Sequence, residues 1–159
     1  MKKGLILQER DVELLEFLAE YKTITLNNTK YIYGTRTYQE KRICHLVKEK
    51  YLTRLTHREI SLGKNGKDFL NEIGTNIKVH CRNPNNIERL KVISDIASFT
   101  NFSNTMSFIP SWYLKDKDCP TQDSRRYLGL LTFDHNFFTV YSVYGEKDEK
   151  YDGPLIKKT

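Results

Sequence analysis

Between residues 36 and 58 the chain carries seven basic side chains, Arg36, Lys41, Arg42, Lys48, Lys50, Arg54 and Arg58. Two acids, Glu40 and Glu49, and two histidines, His45 and His57, lie among them. Guanidinium, ammonium and imidazole groups at this density suit the holding of a polyanion by its phosphates. The competing reading is a charged helix face that meets only water. Residues 9–20 have the opposite sign, with five acids against Arg10. Residues 1–79 hold 15 Lys and Arg against 10 Asp and Glu, and residues 80–159 hold 11 against 10, so the excess is N-terminal.

Other chemistries find less support. The histidines (His45, His57, His80, His135) are scattered, and none sits one helical turn from a ligand-type residue in a way that suggests a metal, so no metal is expected. Cys44, Cys81 and Cys119 are an odd number at wide spacing, which excludes a disulfide framework and a paired zinc motif and leaves free thiols. The adjacent pairs His80-Cys81 and Asp118-Cys119 lack a third group to orient them as catalytic dyads. The run Gly63-Lys64-Asn65-Gly66-Lys67 is too short for a phosphate-binding loop and has no following Ser or Thr. No cofactor is expected.

The elements that must position the basic residues follow from periodicity. Leu14, Leu15 and Leu18 share a helical stripe over residues 8–21, with acids in the first turn. Thr25 is a candidate cap for a short helix over residues 26–33, stopped by Gly34. Thr35 caps a third helix reaching residue 50, with Ile43, Leu46, Val47 and the stem of Lys50 turned inward. At 100° per residue this leaves Thr37, Lys41, Cys44, His45 and Lys48 facing outward. Two short strands follow, carrying Leu52, Leu55, Ile60 and Leu62 and flanking a polar tip over residues 56–59. A further turn or two of helix over residues 67–73 packs Phe69, Leu70 and Ile73, after the glycines at 63 and 66 turn the chain.

Helix, turn, helix and hairpin over residues 8–73 make a winged helix, in which the third helix enters the major groove and the wing holds phosphates. Arg36, Thr37, Tyr38, Lys41 and His45 are then candidates for base edges, and Arg42, Lys48, Arg54, His57, Arg58 and Lys64 for the backbone.

Residues 75–84 read as a linker. A helix over 86–99 follows, then strands over 108–114, 126–133 and 137–144, the last two joined at Asp134-His135-Asn136. Residues 127–133 and 137–143 are apolar on both faces, which predicts cover on both sides of those two strands. The charged tail from 145 shows no element. The fold class expected is α+β, with a winged helix over 1–76 and a small α/β unit over 84–159.

With 38% hydrophobic and 12% aromatic residues the chain should be globular, and no apolar run nears the length of a membrane span or a signal-peptide core. A cytoplasmic protein is expected. A homodimer is expected too, because one winged helix reads few base pairs, and the helix over 86–99 is its candidate surface. The alternative is a protein–protein interaction module that keeps the scaffold without DNA.

Leu7 with Arg10-Asp11, Leu14-Leu15 and Leu18, then Tyr33, Tyr38, Arg42, Leu46, Tyr51-Leu52, Leu62-Gly63 and Gly66, resembles the winged-helix start of the replication-relaxation proteins, over about the first 75 residues. Gln8 stands where those proteins have Thr or Ser before the first helix. The resemblance implies a plasmid- or mobile-element-encoded protein of Gram-positive bacteria that binds double-stranded DNA in replication, nicking complexes or regulation, with a replication protein or relaxase as a partner. Some of those proteins continue into a restriction-endonuclease-like domain, which the second unit would then keep in degenerate form. Cutting DNA there needs an Asp on one strand and Glu-x-Lys on the next to hold Mg²⁺. The strand from Phe137 contains no acid, Asp134 lies in the turn, and Glu146-Lys147-Asp148 lies beyond it, so no enzyme is expected.

Overall fold

The stripe of Leu14, Leu15 and Leu18, widened by Phe17, Ala19 and Tyr21, is buried along helix α1, Glu9–Tyr21. Its start is closed by Asp11 rather than by a Ser or Thr: the carboxylate accepts the Gln8 backbone N–H at 2.7 Å. The computed structural model describes residues 4–75, 87–101, 105–114, 127–142 and 154–158.

Thr25 does not cap the short helix expected from residue 26. It ends a three-residue strand, β1 (Thr23–Thr25), and the turn after it is tied by Thr29 N–H donating to Thr25 O at 3.3 Å. Helix α2 is therefore only Lys30–Tyr33. Helix α3, Arg36–Lys48, buries Ile43 and Leu46 as the periodicity requires, and also Gln39. The Gln39 amide donates to Thr29 Oγ1 at 2.5 Å and to Leu26 O, so burial leaves it satisfied. Lys50 was expected to lay its stem on the core. It is exposed instead, with φ at 59°, and the reversal returns the Tyr51 N–H to Leu46 O at 2.9 Å.

Strands β2 (Leu52–Arg54) and β3 (Glu59–Leu62) form a hairpin, and β1 pairs with the other edge of β3, so the antiparallel sheet has the order β1-β3-β2. Ile24 faces Ile60, Leu52 faces Leu62, and all but Leu62 are at most 1% exposed. Helix α4 starts at Lys64, three residues before the expected start, and runs to Glu72. Gly63 is its cap and Gly66 lies in its first turn, and a Cβ at either would run into the carbonyl of Lys50 or Tyr51. Leu70 is buried, Phe69 half-buried, and Ile73, past the helix end, is 50% exposed rather than packed.

Helix α5, Ile87–Asn101, was placed in the second unit by its sequence, but the chain divides at Ser98 and Phe99, so that most of α5 belongs to the first unit. Ser94 Oγ donates to Thr23 O at 2.5 Å, Asn28 Nδ2 to Asp95 Oδ1 at 2.8 Å, and Lys91 lies 3.6 Å from Glu59. Ile93 and Ala97 are fully buried. Of the expected linker, only residue 75 is among the described residues.

The second unit holds β4 (Met106–Pro110), a 3₁₀ turn (Ser111–Tyr113), β5 (Tyr127–Phe133), β6 (Asn136–Ser142) and β7 (Pro154–Lys158). The strand expected over 108–114 is thus displaced and ends at Pro110, where the 3₁₀ turn follows. The charged tail, read as lacking any element, contributes β7. The four strands form one antiparallel sheet in the order β4-β5-β6-β7, each beside its neighbour in sequence. Asp134 and His135 alone make the β5–β6 turn, both with positive φ, and Asn136 already belongs to β6. Adjacent residues Thr139 and Val140 point to opposite faces and are both buried, so that part of β6 is covered twice. The chain is therefore α+β, and among the described residues no helix is long and apolar enough to cross a membrane.

Candidate nucleic-acid interface

The inward residues of α3 fix what its other side presents. With Gln39, Ile43 and Leu46 buried, two rows remain outside: Arg36, Glu40, Cys44 and Lys48 in one, Thr37, Lys41 and His45 in the other, and all seven are exposed. From Arg36 to Lys48 the rows run about 18 Å, at 1.5 Å per residue. Tyr38 flanks them, 38% exposed, its hydroxyl donating to the Gln8 side chain. Strand β2 lies beside the first row, where Arg54 Nη2 is 3.9 Å from Cys44 Sγ.

The hairpin adds charge of one sign. Arg54, His57 and Arg58 are exposed, as is Lys64 at the start of α4. Glu59 was read as part of the polar tip and is not: it is 5% exposed, accepts from Thr56 Oγ1, and lies 3.6 Å from Lys91. Thr56 Oγ1 in turn accepts the N–H groups of Arg58 and Glu59 at 3.1 and 3.2 Å, which shapes the tip. With the acid folded inward, the tip is left basic.

Arg42 departs from the sequence reading. Its guanidinium points into the protein, with the side chain 12% exposed, and Nε lies 3.1 Å from each oxygen of Asp11. Its Nη2 donates to Asp11 and to Ile6 O at 2.7 Å. Asp11 is fully buried and accepts from the Tyr33 hydroxyl at 2.8 Å as well. Burial alone would raise its pKa, but Arg42, the Gln8 N–H and Tyr33 together hold it below the usual carboxylate value. Burial and the hydrogen bond to Asp11 push the Tyr33 phenol far up. Asp11 thus draws Arg42 out of any phosphate-facing set, and the pair clamps α3 to the start of α1.

Neither models of known protein families, nor curated proteins, nor solved structures match this chain.

On the outward face, Lys41, His45 and Lys48 make no side-chain hydrogen bond or ion pair among the described residues. Arg36 is paired with Glu40 across one helical turn, Nε to Oε1 at 2.9 Å, and Glu40 raises its pKa further. The sequence reading places a short helix here but names none of its outer residues: on α2, Lys30 and Tyr31 are both exposed, with the ammonium 5.3 Å from the ring centre. One lysine in a four-residue helix left no periodic signal to find it by.

Asp134 is exposed in its turn, and no group of three or more His, Cys, Asp or Glu among the described residues could hold a metal ion. His80, Cys81, Asp118, Cys119 and residues 146–148 lie outside the described residues.

Proposed function

We propose that the first unit is a winged helix that binds double-stranded DNA, with α3 in the major groove and the β2–β3 hairpin as the wing. The order α1-β1-α2-α3-β2-β3, with β3 central in the sheet, supports this reading. The observation that carries it is the sorting of charge. Lys41, His45, Lys48, Arg54, His57 and Arg58 are exposed on the helix and hairpin, while Asp11 and Glu59 are turned inward and neutralised. A helix 10–12 Å across fits a major groove about 12 Å wide. Thr37, Lys41 and His45 would meet base edges. Lys48, Arg54, His57, Arg58 and Lys64 would meet phosphates.

The protein acts by binding, in the cytoplasm, and as a homodimer on a site with two halves. A role in the replication, mobilisation or regulation of a plasmid or mobile element, beside a replication protein or relaxase, follows from the replication-relaxation resemblance alone. The test is a fluorescence titration on random-sequence duplex across salt concentrations. Each phosphate contact adds about 0.9 to the slope of log K against log salt, so Lys48→Ala with Arg58→Ala should lower that slope by about two. Replacing Lys41, His45 and Lys48 together should abolish binding. No binding by the unaltered protein even at low salt would overturn the reading and favour a protein-interaction module.

A further inference from the structure

We propose that Arg36 and Glu40 act together as the base-discriminating pair of this surface: Arg36 offers its two terminal amino groups to O6 and N7 of one guanine, and Glu40 holds the guanidinium in place through Nε. The proposal rests on the DNA-binding reading above and names the residues that would make it selective.

Three observations lead to it. Arg36 is the first residue of α3, and a helix in the major groove reaches base edges with its early residues. It is also the one guanidinium on the outward face of α3, because Arg42 is committed to Asp11. Arg54, on β2, lies against Cys44 further along the helix. The ammonium groups of Lys41 and Lys48 are point charges and lack the planar fork that matches a guanine edge.

The third observation concerns Glu40. It is the only acid in α3, and it is exposed on the face that would look toward phosphates. A bare carboxylate there repels the ligand. This one is paired, Oε1 to Arg36 Nε at 2.9 Å, with both side chains more than half exposed. The bond engages the single N–H on the flank of the guanidinium and leaves Nη1 and Nη2 available for another acceptor. Those two groups suffice for a bidentate contact with guanine. Glu40 thereby restrains a long, rotamer-rich side chain before the DNA arrives.

The experiment is selection of binding sites from a randomised duplex pool, followed by titration of the selected and scrambled duplexes. The unaltered protein should select a fixed G·C pair at one position of each half-site. Arg36→Ala should lose the preference at that position alone, and Arg36→Lys should not restore it. Glu40→Gln should bind scrambled duplex more tightly, one repulsive charge being gone, while its preference for that G·C pair falls about tenfold. Melting curves check that each variant is folded. If Arg36→Ala or Glu40→Gln binds DNA and selects the same site as strongly as the unaltered protein, the role of the pair is overturned and DNA binding stands. Equal loss of preference at every position would also overturn it, since that marks a general loss of affinity. Failure of the unaltered protein to bind any duplex would overturn the underlying reading, and this proposal with it.

Discussion

Arg42 shows how one buried partner redirects a charged side chain. Its place on α3 lies between Gln39 and Leu46, at the edge of the inward stripe, although its charge groups it with the candidate phosphate contacts Lys48 and Arg54. Asp11, 31 residues earlier, is what turns it inward. Removing one member of a buried ion pair leaves the other uncompensated, so Asp11→Asn should destabilise the protein by about 3 kcal/mol at neutral pH in urea unfolding. The pH dependence has a definite sign. Because the folded pKa of Asp11 lies below its ordinary value of 3.8, the contribution is complete above that pH and is lost as pH falls through the lower folded value. The gap between Asp11→Asn and the unaltered protein should therefore close in acid, and a gap that persists there would refute the assignment. Glu59 teaches the same lesson: its neighbours Thr56, His57 and Arg58 read as a polar tip, and its charged partner, Lys91, stands on a helix 32 residues away in sequence. Long-range partners of this kind leave no periodic trace in a sequence.

The elements were legible where an apolar stripe repeats for three turns and obscure where an element is short. Leu14, Leu15 and Leu18 mark α1, and Ile43 with Leu46 mark the inward side of α3, so the outward Thr37, Lys41, His45 and Lys48 follow from geometry alone. Strand β1 is Thr-Ile-Thr, too short for any alternation to register, and Thr25 looked like a cap because Ser and Thr cap helices and end strands alike. The glycines at 63 and 66 signalled a loop, although what they serve is close approach of α4 to the chain at Lys50 and Tyr51. Lys50 itself occupies a left-handed conformation that costs an L-residue with a Cβ. Lys50→Gly should relieve this and raise stability by up to about 1 kcal/mol in denaturant unfolding, with no change in the α3–β2 register. A loss of stability would show that the Lys50 side chain contributes more than its backbone strain costs.

At the scale of the molecule, the division of the chain was misjudged for a physical reason. The sequence placed a boundary near residue 76, where periodicity fades, but α5 completes the first unit through Ser94, Asp95 and Lys91. Hydrogen bonds from Ser and Asn side chains carry no hydropathy signal. A fragment ending at residue 98 should therefore unfold as one cooperative unit. A fragment ending at residue 75, deprived of the buried Ile93 and Ala97, should lose several kcal/mol relative to it. Equal midpoints for the two fragments in urea would show that α5 adds nothing to the first unit. The second unit had strands enough to be seen, yet its meander order and terminal β7 came from pairings between strands that no single stretch of residues announces.

The bond from Ser94 to Thr23 O joins residues 71 apart in the chain. On the ribosome this sets a timetable. The hairpin and its basic face are synthesised by residue 62, but the helix that lies against β1 and holds Glu59 arrives only with residues 87–98. At 5–20 residues per second the interval is about 2–7 s. During it the nascent chain carries its basic helix and hairpin without the partners of Thr23 and Glu59, in a crowd of ribosomal RNA.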